Sequence, residues 1–200
     1  TLAGGSPWGE FLVPLVFATN GRPYLKQIET KSGVWFCDLR RPTNLARPLE
    51  GWYSPEGLRE LLKQDVDAAH DRLRHEEFTY GLQLRDYQRR AVLAIEKALQ
   101  ADTRQMLVAM ASGTGKTSTA IALIYRLIKT RRFRRILFLV DRTALGEQSA
   151  AAFKTARMEQ QKPFTDIYDL KELGDIRPDP DTKVQIATIQ SFVKRILFAE

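Results

Sequence analysis

Apolar positions along this chain change their rhythm near residue 80. Before that point they come in short bursts between turn signals. Phe11 to Ala18 is apolar and runs into Thr19-Asn20-Gly21-Arg22-Pro23, a strong turn sequence. Tyr24 to Thr30 and Val34 to Asp38 read as strands, with Lys31-Ser32-Gly33 turning between them. Ser54-Pro55-Glu56 supplies a helix N-cap, a proline at the first helical position and an acid in the first turn. Leu58, Leu61, Leu62, Val66 and Ala69 then share one face, while Asp67 to Glu77 is strongly polar and reads as a linker helix between modules. These patterns predict the end of a small α/β or mixed module over 1–50 and a helical linker over 51–80.

From Leu84 the periodicity tightens. Leu84, Tyr87, Gln88, Ala91, Val92, Ile95 and Leu99 form an i, i+3, i+4 stripe, which predicts an amphipathic helix over 85–100. Met106 to Ala109 reads as a buried strand, Ser118 to Ile124 as a helix, and Ile136 to Val140 as a strand buried on both faces. Ala144 to Ala156 suits a helix, Thr165 to Asp169 a short strand, Pro178-Asp179-Pro180-Asp181 a loop, and Val184 to Thr188 a further strand. Strands alternating with helices predict an α/β domain with a mostly parallel sheet over 81–200.

Composition adds limits. At 44% hydrophobic the 200 residues can bury a sizeable core, so wholesale disorder is excluded. No apolar run approaches the roughly 20 residues of a membrane span, and the sequence starts at Thr1 without a charged leader and apolar h-region, so no secretory signal is expected. The expectation is a cytoplasmic piece of a longer chain, without a membrane partner; the single Cys37 fits that reducing setting. A net charge of +7 and a pI near 9.6 suit a polyanionic partner. Lys129, Arg131, Arg132, Arg134 and Arg135 concentrate part of that charge. They fit either a nucleic-acid surface or the cationic end of a helix complementing its dipole.

The chemistry centres on Met110-Ala111-Ser112-Gly113-Thr114-Gly115-Lys116-Thr117. Strand, glycine-rich turn and helix are the context of a phosphate-binding P-loop. Gly113 and Gly115 let backbone N–H groups face inward and make an anion cradle, and the helix N-terminus adds partial positive charge. Lys116 would reach the β- and γ-phosphates and Thr117 would ligate Mg²⁺. The first glycine of the general pattern is Met110 here. His70 and His75 are five apart, a poor match to helical metal pairing, and read as solvated. Glu29-Thr30-Lys31 imitates the E-x-K of a metal-dependent nuclease, but no aspartate precedes it as second ligand, so an ordinary hairpin is expected.

The neighbours of the P-loop narrow the class. Leu84-Arg85-Asp86-Tyr87-Gln88 resembles the Q motif of superfamily 2 helicases and translocases, where the glutamine amide reads adenine. Met110 to Thr117 is similar to their motif I, Val140-Asp141-Arg142-Thr143-Ala144-Leu145-Gly146-Glu147-Gln148 to motif Ia, and Ile186 to Phe192 to the block that follows. The forms of 140–148 and 187–192, with Phe17-Ala18-Thr19-Asn20-Gly21 ahead of them, resemble the restriction (motor) subunit of type I restriction-modification enzymes. That resemblance implies a RecA-like motor domain after the tail of a nuclease-like module. It also implies ATP and Mg²⁺ held by Gln88, Ser112, Gly113, Thr114, Gly115, Lys116 and Thr117, with Lys116 and Thr117 catalytic and Thr117 the metal ligand. It implies ATP-driven movement along duplex DNA with cleavage at a distance, and specificity and methylation subunits as partners. Arg142, Thr143, Gln148, Thr188 and Gln190 would face DNA. They stand at or just after strand ends, where ligands approach an open α/β sheet, and their side chains suit phosphate oxygens; helix capping by Thr143, Thr188 and Ser191 is the other use for three hydroxyls there. The family's metal-binding Asp-Glu block and arginine finger are expected beyond Glu200 and its nuclease carboxylates before Thr1, so this stretch alone should turn nothing over. Another superfamily 2 motor acting on DNA or RNA, and a docking module without ATP chemistry, are the alternatives.

Overall fold

A computed structural model describes residues 13–25, 33–40, 44–49, 51–63, 65–173 and 182–197. The chain divides into two units, Thr1–Gln64 and Asp65–Glu200.

In the first unit, β1 (Leu15–Thr19), β2 (Val34–Asp38) and β3 (Arg47–Leu49) form an antiparallel sheet in that order, followed by α1 (Pro55–Leu62). Phe36 and Val34 are its buried centre, and Phe36 meets Phe17 at 5.1 Å and Tyr53 at 5.2 Å between ring centroids. Pro48 cannot donate to a ladder, and it sits on an edge strand where no donor is needed. The Ser54 hydroxyl accepts from the Gly57 amide at 3.0 Å, so the helix start read from Ser54-Pro55 forms as a cap. Tyr24 and Leu25 lie outside any strand; the rest of the expected strand to Thr30, with Glu29 and Lys31, falls outside the described residues.

The second unit holds α2 (Val66–His75), α3 (Asp86–Gln100), α4 (Lys116–Lys129), β4 (Ile136–Val140), α5 (Thr143–Thr155), α6 (Phe164–Ile167), β5 (Leu170–Lys171), β6 (Val184–Thr188) and α7 (Ile189–Leu197). Its sheet is parallel in the order β4-β6-β5, with Ile136 opposite Val184 and Val140 opposite Thr188. Ile121, Ile124, Tyr125 and Ile128 of α4 and Phe153 of α5 pack with Val184, Ile186 and Phe164 in one core. This is the expected α/β domain, a sheet covered by helices on the face that carries Ile136 and Phe138.

Four local expectations change. Residues 103–111 form no helix or strand, and Leu107 is 96% exposed. An apolar run supplies side chains for a strand but not the neighbouring backbone that must pair with it, and none of the described residues pairs there. Leu137 and Leu139 alternate away from the helices and stay partly exposed, so β4 is buried on one face rather than two. Thr165 to Asp169 is mostly helix, because Phe164 anchors the turn α6 in the aromatic core, 5.0 Å from Phe153. The expected loop at 178–181 lies outside the described residues.

The fourth is α2. Despite its polar sequence it is docked, with Ala69 and Leu73 buried and His70 only 4% exposed. His70, read as solvated, accepts from Arg132 Nε at Nε2, 2.9 Å away, while His75 is exposed as expected. The docking centre is Arg126 in the last turn of α4, fully buried. It donates to both carboxylate oxygens of Glu96 on α3 (2.6 and 3.0 Å), to the Leu73 and Glu76 carbonyls (3.2 and 2.7 Å), and to the Tyr80 hydroxyl (3.3 Å). The guanidinium also lies 4.2 Å from the Phe78 ring centroid. Burial pushes the Glu96 carboxyl up and the Arg126 guanidinium pulls it back. Beside this pair, Lys129 bridges Glu76 and Glu159.

Replacing Arg126 by Met should cost about 3–5 kcal/mol, because a buried carboxylate loses its partner. The double variant Arg126→Met, Glu96→Leu should recover much of that loss. Denaturant unfolding of the four proteins in the cycle checks this; additive losses would contradict it.

Candidate nucleotide site

The loop between Met110 and Lys116 is shaped by two glycines with positive φ, Gly113 at 76° and Gly115 at 78°. Gly115 is the N-cap of α4, in a left-handed conformation that L side chains avoid. A Cβ there would also stand 2.4 Å from Gln88 Nε2. The first intrahelical bond of α4 runs from the Thr119 amide to the Gly115 carbonyl at 3.0 Å. The amides of Lys116, Thr117 and Ser118 therefore precede the helical ladder, and they supply the unpaired donors an anion needs. Lys116 and Ser112 are exposed at the loop, with Thr114 and Thr117 half-buried beside them. The cradle fits phosphate.

The cationic tip is parked. Lys116 Nζ donates to the Met110 and Ala111 carbonyls at 3.1 and 3.0 Å, and the Thr114 hydroxyl donates to Ala111 O at 2.6 Å. Gln88 is 5% exposed and its amide is engaged on both sides. Oε1 accepts the Arg85 amide at 2.8 Å, while Nε2 donates to the Thr114 and Gly115 carbonyls at 3.1 and 3.2 Å. Tyr87 donates its hydroxyl to the same Thr114 carbonyl at 3.0 Å. A cleft of about 410 Å³ adjoins the first turns of α4, between Gly81-Leu82-Gln83 on one side and Ser118, Ile121 and Thr155 on the others.

The second group of expected residues collects at the C-terminal ends of β4 and β6, which the parallel register sets side by side. Arg142 is 82% exposed in its side chain, and Thr143, Gln148 and Gln190 are exposed. Thr188 is different. It is 9% exposed, its hydroxyl accepts the Ser191 amide at 3.1 Å, and the Ser191 hydroxyl donates to its carbonyl at 3.0 Å. It caps α7. Because α4 ends at Lys129 and β4 starts at Ile136, the phosphate loop belongs to this same end of the sheet. The basic run sits at the other end. There Lys129 is ion-paired and Arg132 lies on the Phe133 ring at 4.5 Å and on His70, while Arg131, Arg134 and Arg135 are exposed. No metal-binding cluster of His, Cys, Asp or Glu exists among the described residues, and no helix of the described residues is long and apolar enough to cross a membrane.

Three participants escaped the sequence reading: Tyr87 as a loop contact, and the pair Glu96 and Arg126. A signal existed for the pair. Each lies four residues after a buried apolar residue of its helix, Val92 and Ala122, where periodicity demands another apolar side chain.

Residues 81–198 match the family model described as "Type III restriction enzyme, res subunit", and residues 3–62 match the model described as "Type I restriction enzyme EcoKI endonuclease subunit second domain". The type I restriction enzyme EcoKI endonuclease subunit of Escherichia coli strain K12 is 44% identical over 187 residues, covering 94% of this chain and 16% of that protein. The EcoAI endonuclease subunit of Escherichia coli is 31% identical over 146 residues, 68% of this chain and 17% of that protein. The chain thus spans about one-sixth of the length of these relatives. No solved structure matches it.

Gly115→Ala combines a left-handed backbone with a clash against Gln88. It should destabilise the protein by about 1–3 kcal/mol and abolish anion binding at the loop, measured by denaturant unfolding and by calorimetric titration with pyrophosphate. Unchanged stability and binding would contradict the geometry described.

Proposed function

This chain belongs to the restriction-endonuclease subunit family of the res-subunit model, and from that premise we propose that its second unit is a nucleotide-binding part of a type I motor subunit that uses ATP to move duplex DNA. The observation that carries the proposal is the Gly113-to-Thr117 loop, left-handed at Gly115 and opening onto the N-terminal amides of α4. With ATP bound, Lys116 would leave the Met110 and Ala111 carbonyls for the β- and γ-phosphates, and Thr117 would hold Mg²⁺, which would neutralise phosphate charge. Ser112, Gly113, Thr114 and Gly115 supply the backbone around the phosphates.

The adenine would enter the cleft beside Leu82 and Ile121. Reading it through Gln88 requires Nε2 to leave at least one loop carbonyl, so base recognition and loop opening are coupled in this proposal. Arg142, Thr143, Gln148 and Gln190 would contact phosphates of duplex DNA, with Thr188 holding the α7 start in place. Such contacts position the duplex and carry no sequence information. Recognition and methylation subunits would supply specificity, and the parent protein would be a DNA-cleaving hydrolase of the cytoplasm.

Mg-ATP at 100 times its Kd should stabilise the chain by about 2.7 kcal/mol, if the unfolded chain does not bind it. Lys116→Ala should remove most of that gain in thermal melting, and identical melting with and without nucleotide would defeat the proposal. ATP should bind tighter than GTP, and Gln88→Ala should shrink that difference. DNA affinity should fall with salt, and Arg142→Ala should reduce the slope of log K against log salt by about 1 without changing sequence preference. A slope that does not move would remove Arg142 from the DNA face.

A further inference from the structure

Bonds within the phosphate loop and to the first turn of α4 shape it from one side, and two side chains of α3 hold it from behind. Tyr87 Oη and Gln88 Nε2 both donate to the Thr114 carbonyl, at 3.0 and 3.1 Å, and Nε2 also reaches the Gly115 carbonyl at 3.2 Å. In a planar trans peptide the C=O and the following N–H point in opposite directions. Fixing the Thr114 carbonyl toward α3 therefore turns the Gly115 N–H away from α3, and fixing the Gly115 carbonyl does the same for the Lys116 N–H. Those are amides of the anion cradle. The bar that carries the two donors is itself anchored. Gln88 is tied back to the Arg85 amide, and Glu96, eight residues on, is locked to Arg126 of α4. Eight residues of helix span about 12 Å, so α3 grips the loop at one end and the helix that follows the loop at the other.

We propose that Tyr87 is a positioning residue for the phosphates: its hydroxyl, acting through the Thr114–Gly115 peptide, sets the direction of the amide that receives the ligand. Nothing in its position along the stripe of α3 demands a hydroxyl, since phenylalanine would fill the same space. The hydroxyl is spent on the loop. The proposal rests on the nucleotide-site reading and deepens it, and it separates Tyr87 from the base, which it does not touch in this scheme.

The test uses the whole chain, wild type and Tyr87→Phe, titrated with ATP and with inorganic tripolyphosphate, which has charge but no base. Melting of the ligand-free proteins is recorded alongside. Tyr87→Phe should weaken both ligands by a similar factor, about 3- to 10-fold, as expected for loss of one neutral hydrogen bond. Such a loss in ligand affinity, beyond any change in ligand-free melting, is what a merely structural tyrosine would not produce. Tripolyphosphate bound equally well by both proteins would overturn the proposal, whether or not melting changes. Weakening confined to ATP would also overturn it, because Tyr87 would then act at the base. Wild-type protein that binds neither ligand would instead refute the nucleotide-site reading itself.

Discussion

One buried ion pair organises the second unit. Arg126 has all of its charge away from water, and removing a guanidinium from solvent is tolerable only when its donors are satisfied. They are satisfied from four directions: Glu96 on α3, the Leu73 carbonyl at the end of α2, the Glu76 carbonyl and the Tyr80 hydroxyl in the segment between α2 and α3. An unmet donor would be costly, so the pieces that meet the guanidinium can take few other arrangements. The polar segment 67–77 is thus held as part of the unit that carries the glycine-rich loop. Lys129 reinforces the same seam: burial works against its ammonium, but the Glu159 and Glu76 carboxylates hold its pKa up.

The consequence reaches the candidate site through α3. Its position, set by Glu96, delivers Tyr87 and Gln88 to the back of the loop, and Gln88 stands so close to Gly115 that its amide would have to shift for a Cβ there. The Met110, Ala111, Thr114 and Gly115 carbonyls accept from Lys116, Thr114, Tyr87, Gln88 and Thr119, and the Gly115 and Lys116 amides face the opposite way. A similar demand for close approach acts at Gly146 in α5, where a Cβ would meet Leu173 at 2.6 Å. Small residues in this unit mark places where another element presses in.

Charge is also distributed by the fold rather than by the sequence. The cations of 129–135 and the exposed Arg142 look like neighbours along the chain, yet they lie at opposite ends of β4. Arg142 shares its end with the glycine-rich loop, while the basic run lies at the other end, with Lys129 ion-paired and Arg132 on His70.

What the sequence determined by itself follows from local physics. The Ser54 cap, the stripe of α3, the glycine-rich turn before α4, the apolar runs of β4 and β6 and the motif order through Gln190 are all set by neighbours a few residues apart. These were enough for the α/β class and for placing a glycine-rich turn at the start of a helix. What only the tertiary structure decided depends on partners far along the chain. His70 looked solvated because its own helix is polar, and it is buried because Arg132, 62 residues away, meets it. Thr188 could have faced a ligand or capped a helix, and in the structure its hydroxyl caps α7. Met106 to Ala109 has the side chains of a strand but gains no ladder among the described residues, because a ladder needs a second backbone. Glu96 and Arg126 each break an apolar pattern alone and complete one another only when α3 lies against α4, since a charge is stable inside a protein only beside its opposite.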